Sequence, residues 1–267
     1  METKEKEVKK DMGRNLSKDE LIQHKDKAIK KLDAYITSLI NDTDQKTRGK
    51  SDKLSYWLED WSTFLEFESN FSPNSLRRYK RGEIIKAHLG YNVGSEEGGL
   101  HYCVVLDKNN SKNSPVVTIV PLTSVKEKTD LNHLHKGSIY LGNELFRSLN
   151  SKISTLQKTI VDEINDLEKL GAEFPNSIDD ATEMMSEIVR RTMDASKEEK
   201  LLRRMRSEVL KMKIGSIAIV SQVRTISKIR IYDPKTNYDI LSNIKLSNEK
   251  LDLIDKEVIQ HFTGHKL

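Results

Sequence analysis

The sequence predicts an α+β protein with a small β core, a helical arm ahead of it and a helical hairpin set into it. Short apolar runs bounded by turn residues fill residues 83–122 and return at 215–232, which is the mark of strands. Ahead of the first block and between the two, apolar residues recur at spacings of three and four, which is the mark of amphipathic helices. Charged residues make up 32% of the 267 and hydrophobic ones 36%, a balance that suits helices with much exposed surface better than one thick core.

Residues 1–18 are charged and lack aromatics, so they are expected to form a flexible tail. Ser17-Lys18-Asp19-Glu20 matches a capping box, and Leu21, Ile22, Ile29, Leu32, Ile36, Leu39 and Ile40 continue it as a helix ending near Asn41-Asp42. A polar linker is expected over Thr43–Lys53. A second amphipathic stretch, Leu54–Phe67, then places Trp57, Trp61 and Phe64 on one packing face, and Ser72-Pro73-Asn74 closes it. The strands expected next are Glu83–Leu89, His101–Asp107, Val116–Leu122, Ser138–Leu141, Gly215–Val220 and Ile229–Tyr232; the second and third are apolar on both faces, as in a small closed or covered sheet. Helical spacing over about 142–213, broken at Gly171–Ser177, gives two long helices with Ser177 able to cap the second, and a last helix follows Ser247. The expected parts are therefore 1–75 as tail and arm, 76–142 with 214–267 as the β core, and 143–213 as the inserted hairpin.

A formal charge of +4 does not by itself announce a nucleic-acid binder. Basic residues gather at Leu76–Arg81, Leu201–Lys213 and Arg224–Arg230, and each cluster taken alone reads as a solvated face. The single cysteine, Cys103, sits in an apolar run, which leaves no disulfide framework and no multi-thiolate metal site. No apolar stretch is long enough to span a membrane, and Met1-Glu2-Thr3-Lys4-Glu5-Lys6 lacks a leader pattern, so a cytoplasmic protein with no membrane partner is expected.

One segment carries more chemistry than the rest. Arg81-Gly82-Glu83-Ile84-Ile85-Lys86 is followed by Gly94-Ser95-Glu96-Glu97-Gly98-Gly99-Leu100-His101. A basic strand, a glycine loop and a titratable residue opening the next strand are the parts of a site that handles phosphodiesters. Together with Val116–Thr123, Gly215–Val220, Gln222-Val223-Arg224-Thr225-Ile226 and the closing helix, this order of segments resembles the PemK/MazF family of toxin ribonucleases over about residues 79–142 and 214–263. The resemblance implies a small SH3-like barrel, usually a homodimer, that cleaves single-stranded RNA without a metal or other cofactor and is neutralised by a small antitoxin protein.

Cutting RNA without a metal needs a base for the 2′-hydroxyl proton, an acid for the leaving 5′-oxygen and donors for the phosphorane charge. In the family an arginine after the glycine loop and a threonine ending the third strand carry this work. Thr123 matches the threonine; its hydroxyl can donate to the scissile phosphate, or bond to backbone as strand-ending threonines do. The arginine position holds His101, which exchanges a proton near neutrality but gives up the permanent bidentate clamp of a guanidinium. Ser95, Glu96 and Glu97 occupy the loop that borders the family's RNA groove, where the carboxylates suit base edges or Arg224 better than phosphates. Gln222 and Arg224 match the family's Gln-x-Arg-Thr motif, with Arg224 expected to anchor the loop and a carboxylate near the site. Ser221 stands where an acidic residue is frequent. His133 and His135 lack a third metal ligand.

Two readings follow. In one, the protein is an endoribonuclease with His101 and Thr123 catalytic and Ser95, Glu96, Glu97, Gln222 and Arg224 binding the substrate. In the other, the loss of the arginine has left a binding module for nucleic acid or protein.

Overall fold

The computed structural model describes residues 15–265, so the tail expected over 1–18 lies, up to residue 14, outside the described residues. The chain divides into two compact units at Thr63.

In the first unit, α1 spans Lys18–Ile40. Its capping box is complete: Ser17 Oγ accepts from the Glu20 N–H at 3.3 Å, and Glu20 Oε2 accepts from the Ser17 N–H at 2.8 Å. The expected linker 43–53 is mostly helix, because α2 begins at Gln45 and runs to Glu68. Asp44 starts it ten residues before the first apolar position, Leu54. Its Oδ2 accepts from both the N–H and the hydroxyl of Thr47 at 2.9 Å, and these bonds hold its carboxyl below the usual aspartate range.

The second unit holds a seven-stranded antiparallel sheet: β1 Ile84–His88, β2 Leu100–Val105, β3 Val116–Ser124, β4 Ser138–Gly142, β5 Ser216–Ile219, β6 Arg224–Ser227 and β7 Ile231–Asp233. The pairing order is β4-β5-β3-β2-β1-β7, with β6 also on β3. The strand expected at 229–232 splits into a 3₁₀ turn, Lys228–Arg230, and the short β7.

The closed barrel is not seen, since β4 and β7 end the path without pairing. Long β3 explains the form: Val116–Ile119 pairs with β6, while Leu122–Ser124 turns to β5. At the β4 end the next neighbour is a helix, α5 (Asn248–Phe262), whose Glu257 accepts from the Gly137 N–H at 3.0 Å.

Alternation along the strands makes two cores. Ile84, Val104 and Val120 face one; Ile85, Cys103, Val105 and Ile119 face the other, around the fully buried Tyr79. The first core is covered by a hairpin of α3 (Glu144–Gly171) and α4 (Ile178–Lys211), with Ser177 capping α4 through the Asp180 N–H at 3.0 Å. Leu145, Leu149, Ile153, Leu202 and Met205 root the hairpin in that core. Lys152 adds a polar root: its ammonium donates to the carbonyls of Asp239, Ile240 and Ser242 at 3.1, 2.9 and 2.8 Å.

Candidate nucleic-acid interface

Three chain segments converge at one edge of the sheet: the 90–99 loop with the start of β2, the end of β3, and the 3₁₀ turn Val220–Gln222. The loop is shaped by backbone. Gly99 has φ +83°, its N–H donates to the Gly90 carbonyl at 2.7 Å, and a Cβ on Gly98 would lie 2.6 Å from that same oxygen.

Gln222 clasps this loop from the 3₁₀ turn. Its Oε1 accepts from the Glu97 N–H at 2.6 Å and from Arg224 Nη2 at 3.1 Å, and its Nε2 donates to the Ser95 carbonyl at 3.0 Å. Arg224 therefore reaches the loop through Gln222, where the sequence led us to expect a carboxylate.

His101 lies at 23% side-chain exposure with both ring nitrogens engaged. Its Nδ1 is 3.0 Å from the Leu122 carbonyl and its Nε2 is 3.5 Å from Glu97 Oε2. A carbonyl only accepts, so Nδ1 carries the hydrogen; Nε2 offers a lone pair in the neutral ring and a proton in the charged one. The β2–β3 ladder ends at Cys103 and Pro121, and His101 and Thr123 each lie two residues beyond that last pair on their strands. The Leu122 carbonyl that holds His101 belongs to the residue just before Thr123.

Thr123 lines two clefts. The larger, about 640 Å³, is bounded by Ser95, Glu97, Gln222 and the β3–β4 connection, which contributes Lys126, Lys128 and His133. The smaller, about 230 Å³, opens towards α4 and holds Lys86, Tyr102, Glu208, Lys211 and Lys213. Glu208 accepts from both the Lys86 ammonium and the Tyr102 hydroxyl. Burial pushes its carboxyl up, but these bonds and the charges of Lys86 and Lys211 hold it net below the usual glutamate range. Burial, then the bond to Glu208, pushes the Tyr102 phenol up, so it remains a donor.

Of the residues expected in the site, His101, Thr123, Ser95, Glu97, Gln222 and Arg224 come together. Glu96 is exposed and, like His101 and Arg224, lines neither cleft. His133 Nδ1 sits 2.8 Å from Asp130 Oδ2, and among the described residues no group of three or more histidine, cysteine or acidic side chains is arranged to hold a metal. Lys126 and Lys128 went unnoticed although their alternation after Thr123 was visible. The Lys86–Tyr102–Glu208 cluster had no local signal, because its partners lie 122 and 106 residues apart.

The fold and site define a class: an α+β protein with an open antiparallel sheet and a polar, partly basic groove beside a histidine–threonine pair. Residues 80–189 match the family model described as PemK-like, MazF-like toxin of type II toxin-antitoxin system, which bears out the resemblance drawn from the motifs. The match runs through α3 into α4, further than the motifs indicated, and stops short of the Gln222–Thr225 segment. A comparison with curated proteins found no match. Among the described residues no helix is long and apolar enough to cross a membrane.

Proposed function

We propose that the protein is a toxin-like endoribonuclease that cleaves single-stranded RNA by attack of the 2′-hydroxyl on the adjacent phosphorus, with no metal required. The observation that carries this reading is the tether of His101: with Nδ1–H bonded to the carbonyl of Leu122, the residue before Thr123, Nε2 is left for proton exchange beside Glu97. In this mechanism Nε2 takes the 2′-hydroxyl proton as the oxygen closes on phosphorus, and Glu97 stabilises the resulting imidazolium. Thr123 donates to a non-bridging phosphate oxygen. As the P–O5′ bond breaks, the His101 imidazolium returns the proton to the leaving 5′-oxygen, giving a 2′,3′-cyclic phosphate and a 5′-hydroxyl. Ser95, Glu97 and Gln222, with Arg224 behind them, line the path of the RNA; Glu96, on the loop, contacts it from outside the cleft.

The wider reading is a cytoplasmic homodimer checked by a small antitoxin, with residues 1–75 and 143–213 as additions to the RNA-binding sheet. The test is incubation of single-stranded RNA with the protein in EDTA, followed by analysis of the ends. Cyclic phosphate ends are expected, and His101→Ala and Thr123→Ala should each slow cleavage by about 10²–10⁴-fold, the usual worth of positioned acid–base groups. Equal cutting by both variants would place the chemistry elsewhere, and RNA that binds without being cut would favour the binding-module reading.

A further inference from the structure

The smaller cleft beside Thr123 is built by two parts of the chain: the sheet gives Lys86, Tyr102 and Thr123, and the end of α4 with the segment after it gives Glu208, Lys211 and Lys213. Three ammonium groups against one carboxylate leave a local charge of +2, in a cleft whose other polar side chains are the hydroxyls of Tyr102, Thr123, Ser124 and Ser216. Lys86 and Tyr102 are already turned onto a bound anion, the Glu208 carboxylate. Lys211 lies near that carboxylate, whereas Lys213 makes no ion pair among the described residues. An intramolecular carboxylate held by a lysine and a tyrosine hydroxyl is the arrangement that a phosphodiester oxygen would meet there.

We infer that this cleft is a phosphate subsite for single-stranded RNA, supplied in part by the helical hairpin, which takes the phosphodiester next to the one placed at Thr123. The inference rests on the reading of Thr123 as part of an RNA site. Lys213 provides uncommitted charge and Lys211 charge shared with Glu208, which keeps Lys86 and Tyr102 aligned while the subsite is empty. The hairpin is thereby a wall of the RNA path and sets how many phosphates on one side of the cut are gripped.

The test is binding of a 2′-O-methyl single-stranded RNA, which lacks the attacking hydroxyl, measured by fluorescence anisotropy across a salt series. Each phosphate contact on a single strand contributes about 0.7 to the log–log salt slope, or about fourfold in affinity at 0.15 M salt. Lys211→Ala/Lys213→Ala, which removes the grip on one phosphate, should therefore bind about fourfold more weakly, with a slope about 0.7 smaller. Lys158→Ala/Lys200→Ala, elsewhere on the hairpin, should bind as wild type. Glu208→Gln keeps an acceptor for Tyr102 and should tighten binding severalfold. Unchanged affinity and slope in the Lys211/Lys213 variant, no tightening in Glu208→Gln, or no binding by wild type overturns the subsite. Wild-type binding of the methylated strand with no cleavage of the ribo strand overturns the nuclease reading alone.

Discussion

Replacing Gln222 by alanine should loosen the glycine loop while the sheet stays intact. Two of the side chain's three hydrogen bonds reach across to the loop, one from the Glu97 N–H at 2.6 Å and one to the Ser95 carbonyl at 3.0 Å; the third, from Arg224, is local, two residues along the chain. A net neutral hydrogen bond contributes about 1 kcal/mol, so losing both cross-ties should lower the free energy of local opening by about 2 kcal/mol. At about 1.4 kcal/mol per factor of ten, the Glu97 amide should exchange about 30-fold faster in native-state hydrogen exchange. The freed groups are part-exposed and find water, so the melting temperature should move little. Gln222→Glu keeps the acceptor for Glu97 and loses the donor to Ser95, which predicts about a fivefold change. If the Glu97 amide in Gln222→Ala exchanges within twofold of wild type, the clasp does not hold the loop.

Three further outcomes follow from buried groups. Arg77→Met strands the Glu83 carboxylate, 6% exposed, with only the Lys80 N–H at 2.8 Å; denaturant unfolding should show a loss of about 3–5 kcal/mol, part of it recovered in Arg77→Met/Glu83→Gln. Leu149→Ala removes a fully buried side chain from the root of α3 and should cost about 3–5 kcal/mol, measured as a lower unfolding midpoint at constant m-value. Glu208 has its folded pKa lowered, so its contribution is fully present above the usual glutamate pKa and is lost as pH falls through the folded value. The stability gap between wild type and Glu208→Gln, followed by thermal melts from neutral to acid pH, should close over that window; a gap that stays constant would refute it.

Much of the architecture was legible because its signals are local. The Ser17–Glu20 box, the Ser177 cap and the two-faced apolar strands each depend on residues a few positions apart. Strand β6 escaped because Arg224–Ser227 is four residues long with one buried apolar position, and its partner on β3 gives it its form. The early start of α2 was hidden in a polar run where only Asp44 marks the boundary. At the site, His101, Thr123 and Gln222 were visible as motif positions, yet the tether of His101 to Leu122 and the role of Gln222 as clasp depend on pairings across 21 and 125 residues. The bend in β3 that leaves the sheet open is likewise set by β5 and β6, partners that lie about 100 residues further along the chain.

The way the hairpin is rooted has a consequence for the continuity of the chain. Each helix carries its own anchor, Leu145, Leu149 and Lys152 on α3 and Leu202, Met205 and Glu208 on α4, while the turn at 172–177 sits about 30 Å of helix from Lys152 and about 38 Å from Leu202. A cut at that turn would divide the polypeptide between β1–β4 and β5–β7 without touching any anchor. The β3–β5 and β3–β6 ladders would then join two separate chains, so the hairpin tip is a seam at which one polypeptide could be supplied as two fragments that reassemble the same sheet.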